Sequence, residues 1–252
     1  MSAPLPLSVT IITLNEERNL ARTLNALHWA QEILVLDCGS TDRTCEIARE
    51  QGARVEHQDW LGYGAQKNRA QALARFDWVL NIDADEVVTP ELEREIRALF
   101  AQGPNPEDGY EIPRKAFYLG RWIRHGGWYP SAVTRLAHRA HARWSEPAVH
   151  ETLIVPGRVH RLEHPLLHYT FRDLQDQVET NLRYAREGAR ALEQKGEHFS
   201  LLKLVWKSKW KFIECYLIKR GFLDGLPGFL IAVNAAYSVF LKYAFLKKFP
   251  NS

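Results

Sequence analysis

Residues 78–88 read WVLNIDADEVV, an apolar run of strand character that presents three carboxylates, Asp83, Asp85 and Glu86, and then turns apolar again. Thr89 and Pro90 follow as N-cap and first helical residue of ELEREIRALF. The same order of strand and helix precedes it three times. SVTIITL (8–14) is a β-branched run, after which Asn15 is placed to cap a helix over EERNLARTLNALH, with Glu16 and Glu17 near its positive end. EILVLDC (32–38) leads through a Gly-Ser-Thr turn into TDRTCEIAREQG, closed by Gly52 at a helix C′ position. ARVEHQ (53–58) is a weaker strand, followed by the helical AQKNRAQALARF. Strands separated by helices of this length predict right-handed crossovers, a mainly parallel sheet and an α/β fold.

In an open parallel sheet, ligands bind beyond the carboxyl ends of the strands. Asn15 and Glu16, Asp37, and then Asp83 and Asp85 all stand at such ends, so they are expected to meet on one rim. Crowded carboxylates repel, and a hard cation among them relieves the repulsion. Mg²⁺ or Mn²⁺ suits the place, because it takes one or two carboxylates and completes its shell with water and phosphate oxygens. A calcium-binding loop is excluded: Val88 and Arg94 occupy the positions that would require Gly and a bidentate Glu.

Taken together, VTIITLNEERNL, LVLDCGSTDRT, YGAQKNRAQ and VLNIDADE, in this order and spacing over residues 8 to 100, resemble the nucleotide-sugar domain of family 2 glycosyltransferases, which have the GT-A fold. The later GGWYP, RW and VHETL pieces resemble the subgroup of bacterial lipopolysaccharide core β-1,4-glucosyltransferases. The resemblance implies that Thr13, Asn15 and Glu16 line the nucleotide pocket, that Asp37 receives the uracil ring, and that Lys67 and Asn68 lie near the base and diphosphate. It further implies that Asp83 holds the ribose and that Asp85 binds the metal, with His168 of LLHYTF as a second metal ligand. Glu151 of AVHETL is then the catalytic base, with Glu146 in reserve, and His150 is a candidate beside His168 for the site's histidine. Cys38 departs from the pattern, since many relatives carry a second Asp there. The donor implied is UDP-glucose or a similar UDP-sugar, and the acceptor a lipid-linked saccharide such as lipopolysaccharide inner core. Trp128, Tyr129 and Trp144 are candidate platforms for the acceptor sugar. Arg135, with Arg114, Arg121 and Arg124, lies in the region expected to face acceptor phosphate or carboxylate groups.

The 252 residues suffice for one large domain with an appendage. We divide the chain into a glycosyltransferase domain over 1–196, with a donor half (1–102) and an acceptor half (103–196), and a basic segment over 197–252. From Lys195 to Ser252 ten Lys or Arg stand against Glu197, Glu214 and Asp224, a net of +7 that leaves −4 for the preceding chain. HFSLLKLVWKSKWKFIECYLIKR predicts an amphipathic helix with Lys203, Lys207 and Lys211 on one side. A turn is expected at Asp224–Gly228, then a second apolar run, FLIAVNAAYSVFLKYAFLKK. Lysines, tryptophans and an apolar face together point to an anionic membrane surface, with packing on the core, a homo-oligomer or a membrane span as the other uses of the same face. The N-terminus carries no secretory signal pattern and the three cysteines form no metal or disulfide framework, so the expected place is the cytoplasm, on the cytoplasmic face of the inner membrane. Two other classes compete with this reading. A sugar-1-phosphate nucleotidyltransferase requires a glycine-rich loop after the first strand, which NEERNL lacks, and a noncatalytic adaptor has no use for the acidic set. Nucleic-acid binding has no motif behind it.

Overall fold

β1 (Leu5–Thr13) is the strand around which the sheet is organised, because parallel partners flank it on both sides. The computed structural model describes residues 3–146 and 151–247, so His150 lies outside the described residues. On one side of β1 lie β2 (Ala30–Asp37) and then β3 (Arg54–His57), and on the other lies β4 (Trp78–Asn81), all parallel. α1 (Leu20–Asn25), α2 (Thr44–Glu50) and α3 (Tyr63–Leu73) make the connections. The chain leaves β1 toward β2 and returns to β4 on the opposite side, and this reversal opens a crevice at the strands' carboxyl ends.

Beyond β4 the sheet is mostly antiparallel. β5 (Glu86–Val88) and α4 (Pro90–Ala101) precede β6 (Gly109–Tyr118), β7 (Arg121–Trp122) and β8 (Ser131–His138). β9 (Arg143–Trp144), β10 (Leu153–Ile154), β11 (Val159–Arg161) and β12 (Leu166–His168) follow. The strand order is β3-β2-β1-β4-β8-β6-β12-β5, with β7 and β11 on β6, while β9 and β10 form a separate pair. The expected extra strands over 110–171 are therefore present.

Alternation along β1 explains the chemistry of its two faces. Leu7, Val9 and Ile11 are fully buried and join the main core with Leu20 and Leu24 of α1 and Leu92 and Ile96 of α4. Burying each such side chain stabilises the fold by about 1.5–3 kcal/mol. Ser8 and Thr10 point the other way and are also buried, so their hydroxyls require partners. Ser8 donates to Glu32 on β2, and Thr10 accepts from Asn81 on β4 at 3.1 Å. α3 continues this polar interior with buried Gln66, Lys67 and Gln71. Gly64 permits its close approach to the strand region behind it, since a Cβ there would lie 1.9 Å from the Ser145 carbonyl oxygen.

Two local expectations change. Asn15 does not cap a helix: it adopts a left-handed conformation, φ 56°, and α1 begins only at Leu20. Its side chain is instead the acceptor for the backbone N–H of Thr41, at 2.9 Å, which ties the loops after β1 and β2 together. The turn expected at Asp224–Gly228 lies earlier, since α7 (Gly225–Ala244) already runs through those residues. Pro227 falls in the first turn of that helix, where its missing N–H costs nothing.

The chain forms two compact units, residues 1–114 with 131–169, and residues 115–130 with 170–252. The division differs from a boundary after residue 196, because α5 (Leu174–Gln194) packs with α7 rather than with the donor-side sheet. In the second unit Tyr118, Ile123 and Ile231 share a core with Trp128 and Phe171. Gln177 of α5 accepts from both Tyr118 and Asn234 of α7. Asp224 accepts from the backbone N–H of Arg124 and of His125, fastening that loop to the start of α7. α6 (Leu201–Ile213) begins with Ser200 as N-cap and lies against α7. The pair leaves much apolar surface open: Leu202, Trp206 and Trp210 on α6, and Phe229, Val233, Tyr237 and Phe240 on α7. Among the described residues one segment, Gly221–Ala244, is long and apolar enough to cross a membrane by length and composition.

Candidate active site

The rim is built from the ends of β1, β2 and β4. Thr13 and Asp37 are register partners on β1 and β2, and Thr13 Oγ1 donates to Asp37 Oδ1 at 3.1 Å. Asp37 also accepts from Ser40 Oγ and from the backbone N–H groups of Gly39, 2.9 Å, and Ser40, 2.8 Å. Burial alone would raise its pKa, but these hydrogen bonds outweigh it and hold the carboxyl below its ordinary value. Four donors fill the lone pairs of a carboxylate. Asp37 thus holds the loop after β2 at the rim. Beside it, Cys38 is near Gln66 Nε2, and burial together with the Asp37 charge pushes its thiol upward.

Glu16 lies across from the acidic stretch. Its pKa is raised by burial and further by the charges of Asp85, Asp42 and Asp83, against the lowering effect of a hydrogen bond from Asn19. Carboxylates from three separate chain segments therefore share one electrostatic field, as the sequence leads one to expect.

Within the acidic stretch the three carboxylates differ. Glu86 is 0% exposed; its Oε2 accepts from the Asp83 N–H at 2.9 Å, and its Oε1 accepts from Arg135 Nη2 at 2.9 Å. It closes the turn from within. Asp83 remains about a third exposed, and two cations grip it: Arg135, and Lys67 at 3.4 Å. Burial opposes ionisation there, but Arg135 and Lys67 hold the carboxyl far below its ordinary value. Thr23 of α1 donates to the Ala84 carbonyl at 2.7 Å and pins the turn from the other side.

Asp85 is the carboxylate left for the crevice. β5 and β12 are antiparallel with His168 opposite Glu86, which brings His168 Nε2 to 3.2 Å from Asp85 Oδ2. Burial lowers the imidazole pKa, but the Asp85 hydrogen bond and the charges of Asp85 and Glu86 raise it above 6.5 overall. Among the described residues no three His, Cys, Asp or Glu side chains form a ready cation cage. A carboxylate and an imidazole side by side fit a divalent ion that completes its shell with diphosphate oxygens and water.

Glu151 joins this site from a distant part of the chain. Lys67 Nζ donates to its Oε1 at 2.7 Å while lying 4.7 Å from the centre of the Trp144 ring. Lys67 is only 4% exposed, so the ammonium links Glu151 and Asp83 without much competition from water. Glu146, the reserve base, is instead engaged by Asn68 and Arg143.

Several expected contacts are not available as placed. Arg135 is 1% exposed and cannot reach an acceptor, so it positions Asp83 and Glu86. Asn68 uses its amide oxygen on the Trp144 N–H and its amide nitrogen on the Trp144 carbonyl and Glu146, which makes it a clasp between α3 and β9. Trp144 is core. Trp128 and Tyr129 belong to the second unit, and Trp128 packs on Tyr118 and Phe171. Arg135 was read as facing the acceptor and Glu86 as one of the exposed acids; their inward pairing had no signal beyond an acid inside an apolar run and an Arg inside a strand.

Comparison with known proteins agrees with this architecture. The sequence profile described as Glycosyl transferase family 2 matches residues 8–105. An uncharacterized glycosyltransferase of Rickettsia typhi is 31% identical over 253 residues, covering 96% of this chain and 87% of that protein. The lipopolysaccharide core biosynthesis glycosyltransferase LpsC of Rhizobium meliloti is 29% identical over 259 residues, covering 97% of this chain and 93% of that protein. The crystal structure of S. aureus TarS 1–349 is 17% identical with a TM-score of 0.51, covers 98% of this chain and 93% of that chain, and shares the GT-A fold. With the strand-end acids, the crevice and full-length relatives in agreement, the chain belongs to the family 2 glycosyltransferases.

Proposed function

We propose that the protein transfers a hexose, glucose in the simplest case, from a UDP-sugar to a lipid-linked saccharide such as the inner core of lipopolysaccharide, with inversion at the anomeric carbon. The observation that carries the reading is the meeting of Glu16, Asp83, Asp85, His168 and Glu151 on one rim. Likeness to LpsC over nearly the whole chain supports the acceptor class.

Thr13 and the loop held by Asp37 and Asn15 line the base pocket, and the exposed edge of Asp83 faces the ribose. Lys67 stands where a diphosphate would draw its ammonium. Asp85 and His168 would hold Mg²⁺ or Mn²⁺, which when bound supplies charge stabilisation to the departing diphosphate. Glu151 accepts the proton of the acceptor hydroxyl as that oxygen attacks from the face opposite the leaving group. Positioning and fixed charge supply most of the acceleration. The open apolar faces of α6 and α7, with their lysines, support attachment to the cytoplasmic face of the inner membrane, where such an acceptor resides.

The test is a donor screen for UDP release stimulated by lipid extract, run with calorimetry of UDP binding. Glu151→Gln is expected to bind UDP as the wild type does and to lose at least about 100-fold in transfer rate. Asp85→Ala is expected to lose the dependence of UDP binding on the divalent ion. Full transfer by Glu151→Gln would move the base elsewhere in the crevice.

A further inference from the structure

We propose that the depression between α6 and α7 lined by Trp206, Lys207, Trp210, Lys211, Lys242 and Tyr243 binds the phosphate headgroup of an anionic membrane lipid. The inference rests on the membrane attachment proposed above and gives it a discrete site. The depression encloses about 330 Å³.

Its charge is concentrated rather than scattered. Lys207 from α6 and Lys242 from α7 each place their ammonium 5.7 Å from the centre of the same buried ring, Tyr243. Among the described residues neither has a carboxylate within ion-pair distance, whereas Lys203 is paired with Glu197 at 2.6 Å and Lys211 with Glu214 at 3.0 Å. Two like charges over one ring repel, and an anion seated between them turns that repulsion into attraction. Lys242 is also held in place. Its stem lies along α5 where Gly188 leaves room, since a Cβ there would come within 2.8 Å of Lys242 Cδ.

The surroundings select a lipid over a free anion. Trp206 and Trp210, about one helical turn apart, are half or more exposed at the rim, the setting that indole rings take at headgroup depth. On the other flank of the same helix pair an apolar groove of about 510 Å³ is lined by Phe212, Ile213, Val233, Tyr237 and Phe240. Indole rings at the rim of a cationic depression match an amphiphile with a phosphate head.

The experiment is vesicle flotation with phosphatidylcholine alone and with added phosphatidylglycerol, together with calorimetry using inorganic phosphate. The Lys207→Gln/Lys242→Gln protein is expected to lose about tenfold or more of its affinity for the anionic vesicles. A Lys203→Gln/Lys219→Gln control, in which both lysines are already paired with acids, should lose less than about threefold. Equal losses in the two variants would replace the site with a diffuse field and overturn the proposal while leaving membrane attachment intact. Saturable binding of inorganic phosphate without preference for anionic vesicles would overturn the lipid assignment. Failure of the unmodified protein to float with either vesicle would overturn the membrane reading as well.

Discussion

Arg135 bridges two acids from within the sheet: Asp83 and Glu86 both accept from its guanidinium, and Asn81 lies at 3.3 Å. Replacing it with Met would leave buried Glu86 with only the Asp83 N–H and Arg114 at 3.6 Å. Arg135→Met is therefore expected to lose about 3–5 kcal/mol of stability in urea unfolding. Arg135→Lys should recover only part of it, because a single ammonium cannot fork between two carboxylates. An Arg135→Met protein as stable as the parent would show that the pair does not hold the turn. The sequence displays Asp83 and Asp85 as strand-end acids, a placement that predicts their nearness to Glu16, whereas Glu151 was reached only through the family resemblance. It does not display which acid is inside. Glu86 follows Asp85 directly, and only the register of β5 against β12 decides that Glu86 turns inward while Asp85 meets His168. Asn68 and Asp37 follow a related rule: residue type announces hydrogen-bonding capacity, and the fold determines how much is already used.

At the scale of elements, the parallel strands were readable because β-branched runs and helical periods alternate, and Thr89 caps α4 as expected, accepting from the Leu92 N–H at 3.1 Å. The buried polar face of the sheet was not readable, since Ser8, Thr10, Glu32 and Asn81 look like solvent-facing strand residues. Glu32 is its main junction, accepting from Ser8 of β1, Arg54 of β3 and the Arg75 N–H. Burial would raise the Glu32 pKa, but these bonds bring it below its ordinary 4.5. Its ionised form thus stabilises the fold at pH above 4.5, and that contribution is lost as pH falls through the lowered value. Glu32→Gln should reduce the unfolding free energy at neutral pH by about 1–3 kcal/mol. The gap between variant and parent should narrow in more acidic buffer, as measured by denaturant titration across pH. A gap that widens on acidification would reverse the assignment.

For the molecule as a whole, a boundary after residue 196 was drawn from the change to basic, apolar sequence. The contacts place α5 and the 115–130 excursion with the C-terminal helices, because Tyr118 and Ile123 need Ile231 to complete their core. No composition shift marks that excursion, so the sequence could not show it. A protein ending at residue 196 is accordingly expected to aggregate or to lose its cooperative thermal transition, and a soluble, sharply melting product would argue that the sheet unit closes by itself. Point substitutions are for this reason the better probe of the helix pair.

The chain passes from one unit to the other at 114–115, 130–131 and 169–170. Such lacing has a bearing on ancestry. A unit that draws one of its pieces from residues 115–130 is not gained whole by end-to-end gene fusion, so relatives that carry the C-terminal helices should carry the 115–130 excursion as well.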